Sequence, residues 1–333
     1  MAVSALLLVA CTSDSGGDAS PPTAPAESGA GSHASDASSG CGARPTVPTG
    51  VSDQTLVSDG VERVYQLHIP DSYDGTTPLP TVFGLHALSI SHTLVAMTSG
   101  FPQMAETYDF IGVTPSGRLN GTTPYWNAAP VDDNHDVRFI DELLDHLEAT
   151  LCMDRGRVFS TGMSNGGQMS ALLACRLPER IAAIGAVAGV EFLEPCDGAP
   201  VPIVAFHGTK DPILPYEGGG LNATRIAEQS YYVDGLPAGL PEPLGVEESM
   251  ARWAAHNGCA ADAVDEPVSA EVRRRTWPAC EAETVLYIVD GGGHTWPGKP
   301  FPQFEPIFGA TTIDIDATSL IFELFFRADE PST

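Results

Sequence analysis

Three short stretches of this chain carry residue types that could act together in chemistry. Gly162-Met163-Ser164-Asn165-Gly166 sets a serine between glycines, Phe206-His207-Gly208-Thr209-Lys210-Asp211-Pro212 delivers an aspartate, and Gly291-Gly292-Gly293-His294-Thr295-Trp296-Pro297-Gly298 presents a histidine. A serine hydroxyl is a weak nucleophile until an imidazole takes its proton. A carboxylate in turn holds that imidazole in the useful tautomer and stabilises its charged form. Ser164 as nucleophile, His294 as base and Asp211 as its partner would attack an ester carbonyl, and water would release the acyl-enzyme. The glycines suit a turn that strains the serine backbone and leaves no room for neighbouring side chains. The Asn165 amide, at the start of a helix, is placed to stabilise developing negative charge. His207 and His86 read as structural histidines and Asp290 as a turn residue. The three glycines before His294 predict a mobile, exposed presentation.

Elements able to position these residues can be read around them. Val64–Ile69 alternates like a half-buried strand, and Thr81–Leu85 is a continuous apolar run suited to a strand covered on both faces. It delivers His86-Ala87-Leu88, and the amides of Ala87 or Leu88 are the candidates for a second oxyanion donor. Phe110–Thr114 predicts another strand. Asp136 reads as the N-cap of a helix with Val137, Ile140, Leu144 and Leu147 on one face. Arg157–Thr161 and Gln168–Leu173 flank the serine as strand and helix. Ile184–Ala188, Val201–Phe206 and Thr284–Val289 predict further strands, while Val246–His256 and Thr318–Arg327 predict helices. Strands alternating with helices give an α/β architecture, a doubly wound, mostly parallel sheet with helices on both faces. Residues 217–245 read as a loop insertion near the site. Asp132-Asp133-Asn134-His135-Asp136 lacks a calcium-loop pattern and any H-E-x-x-H, so turn and capping duty is expected there. No metal or cofactor is expected.

The 333 residues hold 43 Asp and Glu against 16 Lys and Arg, a formal net charge of −27. Such an acidic surface argues against nucleic acid and anionic membrane surfaces as partners. Residues 1–11 end in Leu8-Val9-Ala10-Cys11, a short apolar run that suits a signal peptide with a lipobox, Cys11 being the lipidated residue. Residues 12–45 are rich in Ser, Gly, Ala, Asp, Pro and Thr and predict a disordered tether. The folded domain is expected over 46–330, its entry falling between Cys41 and Val51. A secreted or surface-anchored protein follows, touching the membrane only through its N-terminal lipid. Cys41, Cys152, Cys175, Cys196, Cys259 and Cys280 make an even set in an exported chain, which suggests three disulfides. The local pairs Cys175–Cys196 and Cys259–Cys280 leave Cys41–Cys152 to staple the domain's entry.

The three chemical motifs, in the order Ser, Asp, His, resemble the secreted polyhydroxybutyrate depolymerase and feruloyl esterase group, including its mycobacterial-type lipoproteins. The resemblance spans about Gly50 to Arg327. It implies an α/β-hydrolase fold, a Ser164–His294–Asp211 triad and a Trp296 that lines the acyl pocket. The sequence departs from that group at the oxyanion loop, which reads His86-Ala87-Leu88-Ser89-Ile90 where His-Gly followed by further glycine is usual. Alanine can stand there only if the backbone angle is ordinary. Trp126, Tyr216, Tyr231, Tyr232 and Trp296 are candidate flat faces for substrate. The expected substrate is an ester, first a polyester or 3-hydroxybutyrate oligomer, and as an alternative a feruloyl or acetyl ester of plant polysaccharide. A reading of another class is a surface-tethered binding lipoprotein without activity.

Overall fold

The computed structural model describes residues 36–43, 47–94, 100–219 and 244–327. Twelve strands are numbered here in chain order: β1 Gly50–Ser58, β2 Val61–Ile69, β3 Leu79–Leu85, β4 Ile111–Pro115, β5 Arg118–Asn120, β6 Thr123–Tyr125, β7 Met153–Met163, β8 Ala183–Val187, β9 Ile203–Gly208, β10 Val264–Pro267, β11 Val272–Thr276 and β12 Thr284–Val289. Ten of them form one sheet in the order β1-β2-β4-β3-β7-β8-β9-β12-β11-β10. The six from β4 to β12 run parallel, and antiparallel hairpin strands extend both edges. The fold is α/β.

The apolar runs of the central strands are explained by where alternate residues go. Phe83, Leu85, Ile184, Ala186, Ile203 and Ala205 enter one core, while Val82, Ala183, Val187, Val204 and Phe206 enter the other. A strand buried on both faces needs no polar alternation. Helices His135–Thr150, Asn165–Arg176 and Val246–His256 cover the first face, through Leu144, Leu172 and Trp253 among others. Helices Phe101–Tyr108 and Ala317–Phe326 cover the second, where Phe101, Phe110, Phe322 and Phe326 meet edge-on or stacked.

Two boundaries differ from the sequence expectation. Asp36–Ala43 belongs to the folded body rather than to a tether. Ser38 is buried, its Oγ donates to Leu151 O at 2.6 Å and accepts from the Met153 N–H at 2.9 Å. Ala37 also bridges to Asp154 antiparallel. Small polar residues can bury when neighbouring backbone groups satisfy them. The N-cap of His135–Thr150 is Asn134, not Asp136. Its Oδ1 accepts from the Asp136 and Val137 amides, which frees the Asp136 carboxylate for another partner. Disulfides join Cys41–Cys152, Cys175–Cys196 and Cys259–Cys280. Cys11, residues 1–35, Tyr231, Tyr232 and most of the 217–245 insertion (220–243) lie outside the described residues.

Candidate active site

The site lies at the carboxyl edge of the parallel strands, where β7, β9 and β12 deliver Ser164, Asp211 and His294. Ser164 sits at φ 55° and ψ −122°, a conformation L residues avoid, and its N–H donates to Val187 O at 2.8 Å. The glycines around it answer to specific neighbours. A Cβ on Gly162 would meet Gly166 O at 2.6 Å, one on Gly166 would meet Leu85 O at 2.2 Å, and one on Gly189 would meet Ser164 O at 2.2 Å. The elbow is therefore pressed between β3, its own helix and the turn after β8. Asn165 opens that helix, so its amide has no acceptor one turn back.

The loop after β3 holds its shape through His86, which is fully buried. Its Nδ1–H donates to Ala87 O at 2.8 Å and its Nε2 accepts the Gly117 N–H at 2.9 Å. Burial pushes this imidazole down to about 4, so it is neutral. Ser89 N–H is taken by Pro124 O and Ile90 N–H by Ala87 O. Among the described residues, no backbone acceptor takes the amides of Ala87 or Leu88. The left-handed angle in this turn falls on Ser89, φ 64°, and not on Ala87. That is the physical reason alanine can stand at 87.

Trp126 does not line an open face. It is wholly buried, its N–H donates to Asn165 Oδ1 at 2.7 Å, its carbonyl accepts Asn165 Nδ2 at 3.0 Å, and its indole N–H donates to His86 O at 3.1 Å. Trp126 thus clamps the elbow residue Asn165 to the β3 loop. Tyr216 is likewise buried, with its hydroxyl donating to Glu247 Oε1 at 2.9 Å. Trp296 belongs to the core under helix Ala317–Phe326, its indole N–H bonded to Thr318 Oγ1 at 3.0 Å. Of the described aromatic candidates, Trp126 has no exposed surface to offer a substrate, while Tyr216 and Trp296 are as enclosed as Ser164 and His294 themselves. An aromatic residue type says nothing about which side faces solvent.

Asp211 and His294 meet directly, Nδ1–H to Oδ2 at 2.7 Å, both buried. The other Asp211 oxygen accepts the Ile213 and Leu214 amides at 2.8 and 2.9 Å. His207 adds a contact beyond its reading as a structural histidine. Its Nε2–H faces Asp211 Oδ2 at 3.2 Å and Leu214 O at 3.0 Å. Burial alone would raise the Asp211 carboxyl. The charge of His294 and the hydrogen bonds from His207 and His294 outweigh it and hold the group well below the usual carboxylate range. The only sequence cue to His207 was its place at the end of the same strand as Asp211.

The glycine run before His294 makes for close packing, not for mobility. His294 is buried, and a Cβ on Gly292 would meet Val289 Cγ1 at 2.6 Å, one on Gly293 Phe308 O at 2.0 Å. Lys210 N–H donates to Gly292 O and Gly291 N–H to Thr209 Oγ1, lacing the aspartate and histidine loops together. Behind the elbow lies one more buried acid. Glu191 Oε2 accepts Gln168 Nε2 at 3.0 Å, and its carboxyl is pushed up to about 7 by burial, with Gln168 opposing.

A strained serine on a strand-to-helix turn, uncommitted amides beside it and a carboxylate–imidazole pair on adjoining loops define an α/β-hydrolase that cleaves carboxylic esters. Comparison with known proteins narrows the class. The chain is 30% identical to an Aspergillus niger protein named "Probable feruloyl esterase C" over 267 residues, 77% of this chain and 83% of that one. It is 28% identical to feruloyl esterase D of Neurospora crassa over 292 residues, 81% of this chain and 86% of that one. Among solved structures, an acetyl xylan esterase from Aspergillus awamori superposes with a TM-score of 0.54 at 15% identity, covering 77% of this chain and 97% of that one, which speaks for the fold. No family model matches. The chain belongs to the feruloyl esterase group, and it is a serine esterase.

Proposed function

We propose that this esterase hydrolyses feruloyl-type esters of plant polysaccharide, with Ser164 as nucleophile, His294 as general base and acid, and Asp211 as the orienting carboxylate. The observation that carries the triad is the buried 2.7 Å pair of His294 and Asp211 on loops flanking a backbone-strained Ser164. The substrate class is supported by the feruloyl names of the relatives; the polyhydroxyalkanoate branch has no such support in them. His294 Nε2 takes the Ser164 proton as Oγ attacks the ester carbonyl. The tetrahedral oxyanion is held by the Asn165 amide and an amide of Ala87 or Leu88. As the intermediate collapses and the acyl C–O bond breaks, the imidazolium protonates the departing sugar oxygen, which leaves as a free hydroxyl. Water, deprotonated by the same imidazole, attacks the acyl-Ser164 carbonyl and frees ferulate and Ser164. Asp211, ionised across the working range, stabilises the imidazolium in both half-reactions. The same proposal places the catalytic domain after a Cys11-anchored leader, and three disulfides support export to an oxidising compartment.

Wild type and Ser164→Ala, assayed on 4-nitrophenyl acetate, methyl ferulate and a 3-hydroxybutyrate trimer, test this. Wild type should turn over methyl ferulate, and kcat should fall on the order of a million-fold in the variant. Preference for the hydroxybutyrate trimer would overturn the substrate class. Turnover surviving in Ser164→Ala would overturn the triad.

A further inference from the structure

Among the described residues, exposed aromatic rings beside the candidate base lie on a separate segment. Phe301–Phe308 runs along the histidine loop, a 3-10 turn Pro302–Phe304 followed by one helical turn Glu305–Phe308, and none of its side chains is buried. Phe304 is 47% exposed and Phe301 42%. The segment is nonetheless fastened to the candidate base. His294 N–H donates to Phe308 O at 2.6 Å, Gly293 N–H donates to Ala310 O at 2.8 Å, and Gly292 bridges to Ala310 in parallel. The Phe308 ring centroid lies 6.3 Å from that of His294, and Phe304 stands edge-on to Phe308 at 6.1 Å. The rings thus step outward from the imidazole, half-buried at Phe308 and exposed at Phe304. Isolated exposed aromatics need no explanation, but two in register with a catalytic-type histidine, on a backbone clamped to it, do.

We propose that Phe308 and Phe304 form a shelf against which the aromatic ring of the acyl group stacks, making them specificity-determining residues for aryl over alkyl esters. This rests on the feruloyl-ester reading above. A flat acyl group gains from ring contacts that an acetyl or hydroxyalkanoyl chain cannot match. The shelf also explains why Gly293 and Gly309 carry no side chain. A Cβ on Gly309 would meet Gly293 Cα at 2.8 Å, so bulk at either would push the rings off the imidazole.

The test uses 4-nitrophenyl ferulate and 4-nitrophenyl acetate, which share a leaving group and differ in the acyl part. For Phe308→Ala the ratio of kcat/KM values, ferulate over acetate, should fall about tenfold, mainly through KM, and Phe308→Trp should restore most of it. Phe304→Ala should lower the ratio less. Phe301→Ala is the control, since that ring is equally exposed but has no ring contact with Phe308 or His294. A ratio within twofold of wild type in both Phe308→Ala and Phe304→Ala overturns the shelf while the feruloyl reading stands. An equal fall in all three variants also overturns it, by pointing to general loop damage. Wild type that cleaves the acetate but not the ferulate overturns the feruloyl reading, and the shelf with it.

Discussion

Around Ser164 the supporting groups are enclosed: Trp126 bonds its neighbour Asn165 and the His86 carbonyl, and the turn at Gly189 presses on the Ser164 backbone. The polypeptide that carries His294 is backed by Phe301–Phe308, in which no side chain is buried. The difference separates two tasks. Under the proposed mechanism the Ser164 side must hold a strained backbone and an oxyanion amide in one geometry, which requires dense packing. Under the same mechanism the histidine side needs only the imidazole and its carboxylate fixed, which leaves its outer surface for the proposed substrate shelf. Selectivity should therefore be adjustable on one side with little loss of stability, while changes on the other should cost folding.

The largest effect should come from a buried ion pair that shapes the nucleophile side from a distance. Arg63 Nη2 meets Asp136 Oδ1 at 2.6 Å, both buried, and the guanidinium lies 4.0 Å over the Phe139 ring. Asp136 Oδ2 accepts the Asn127 N–H at 2.8 Å, and Asn134 Nδ2 donates to Asn127 O and Ala129 O. This network orders the residues that follow Trp126, and Trp126 in turn grips Asn165. Arg63→Met leaves Asp136 charged and unpaired and should cost about 3–5 kcal/mol in urea unfolding. Arg63→Met with Asp136→Leu should recover most of that stability, though not the anchor for Asn127. If the single variant lost under 1 kcal/mol, the pair would not support this side.

Glu191 gives a second, pH-dependent test of the same enclosure. Its carboxyl titrates at about 7 in the fold against an ordinary 4.5, because burial favours the neutral acid. Between those pH values the folded protein keeps a proton that the unfolded chain has released. The folded state therefore binds more protons, and stability falls as pH rises from about 4.5 to 7, then stays lower. The full difference is about 3 kcal/mol. Glu191→Gln keeps a polar partner for Gln168 without the ionisation. It should melt higher than wild type at pH 8, and the gap should close by pH 4. Equal melting curves at pH 8 would mean that Glu191 is solvated.

How much of this could be read in advance depended on the range of the forces involved. The elbow from Arg157 to Leu173, the strand Thr284–Val289 and the helix Val246–His256 are written in local apolar pattern and glycine placement, and they stand in the structure at or near their expected bounds. The β10–β11 hairpin was not legible. Its cross-strand partners are charged, Asp265 with Arg273 and Arg275, and Glu266 with Arg274, so it carries no hydrophobic alternation. β1 was missed for a related reason: no residue of it before Ser58 is buried. Asn134 and Asp136 are both good caps by type, and the partners that distinguish them, Arg63 on Asp136 and the Asn127 and Ala129 carbonyls on Asn134, are set by tertiary packing. The orientation of Trp126 and the mobility inferred from three glycines failed alike. Each depends on what long-range packing brings against the residue.

His207 offers the smallest effect and the sharpest one for the histidine side. It touches no reacting atom and acts through Asp211, so it is a positioning residue. His207→Leu removes one donor to the Asp211 carboxylate and should lower kcat/KM roughly tenfold. His207→Gln, whose amide can reach toward the same oxygen, should recover most of it. The pH behaviour separates positioning from simple packing. Asp211 is held below the ordinary carboxylate range, so its contribution to stability is present above that range and is lost as pH falls through the depressed value. Without His207 the depression shrinks. The stability deficit of His207→Leu should accordingly be full at pH 7 and narrow only once the pH falls below the ordinary carboxylate range. A deficit that stays unchanged as pH falls through that acid range would show that His207 only fills space beneath the loop.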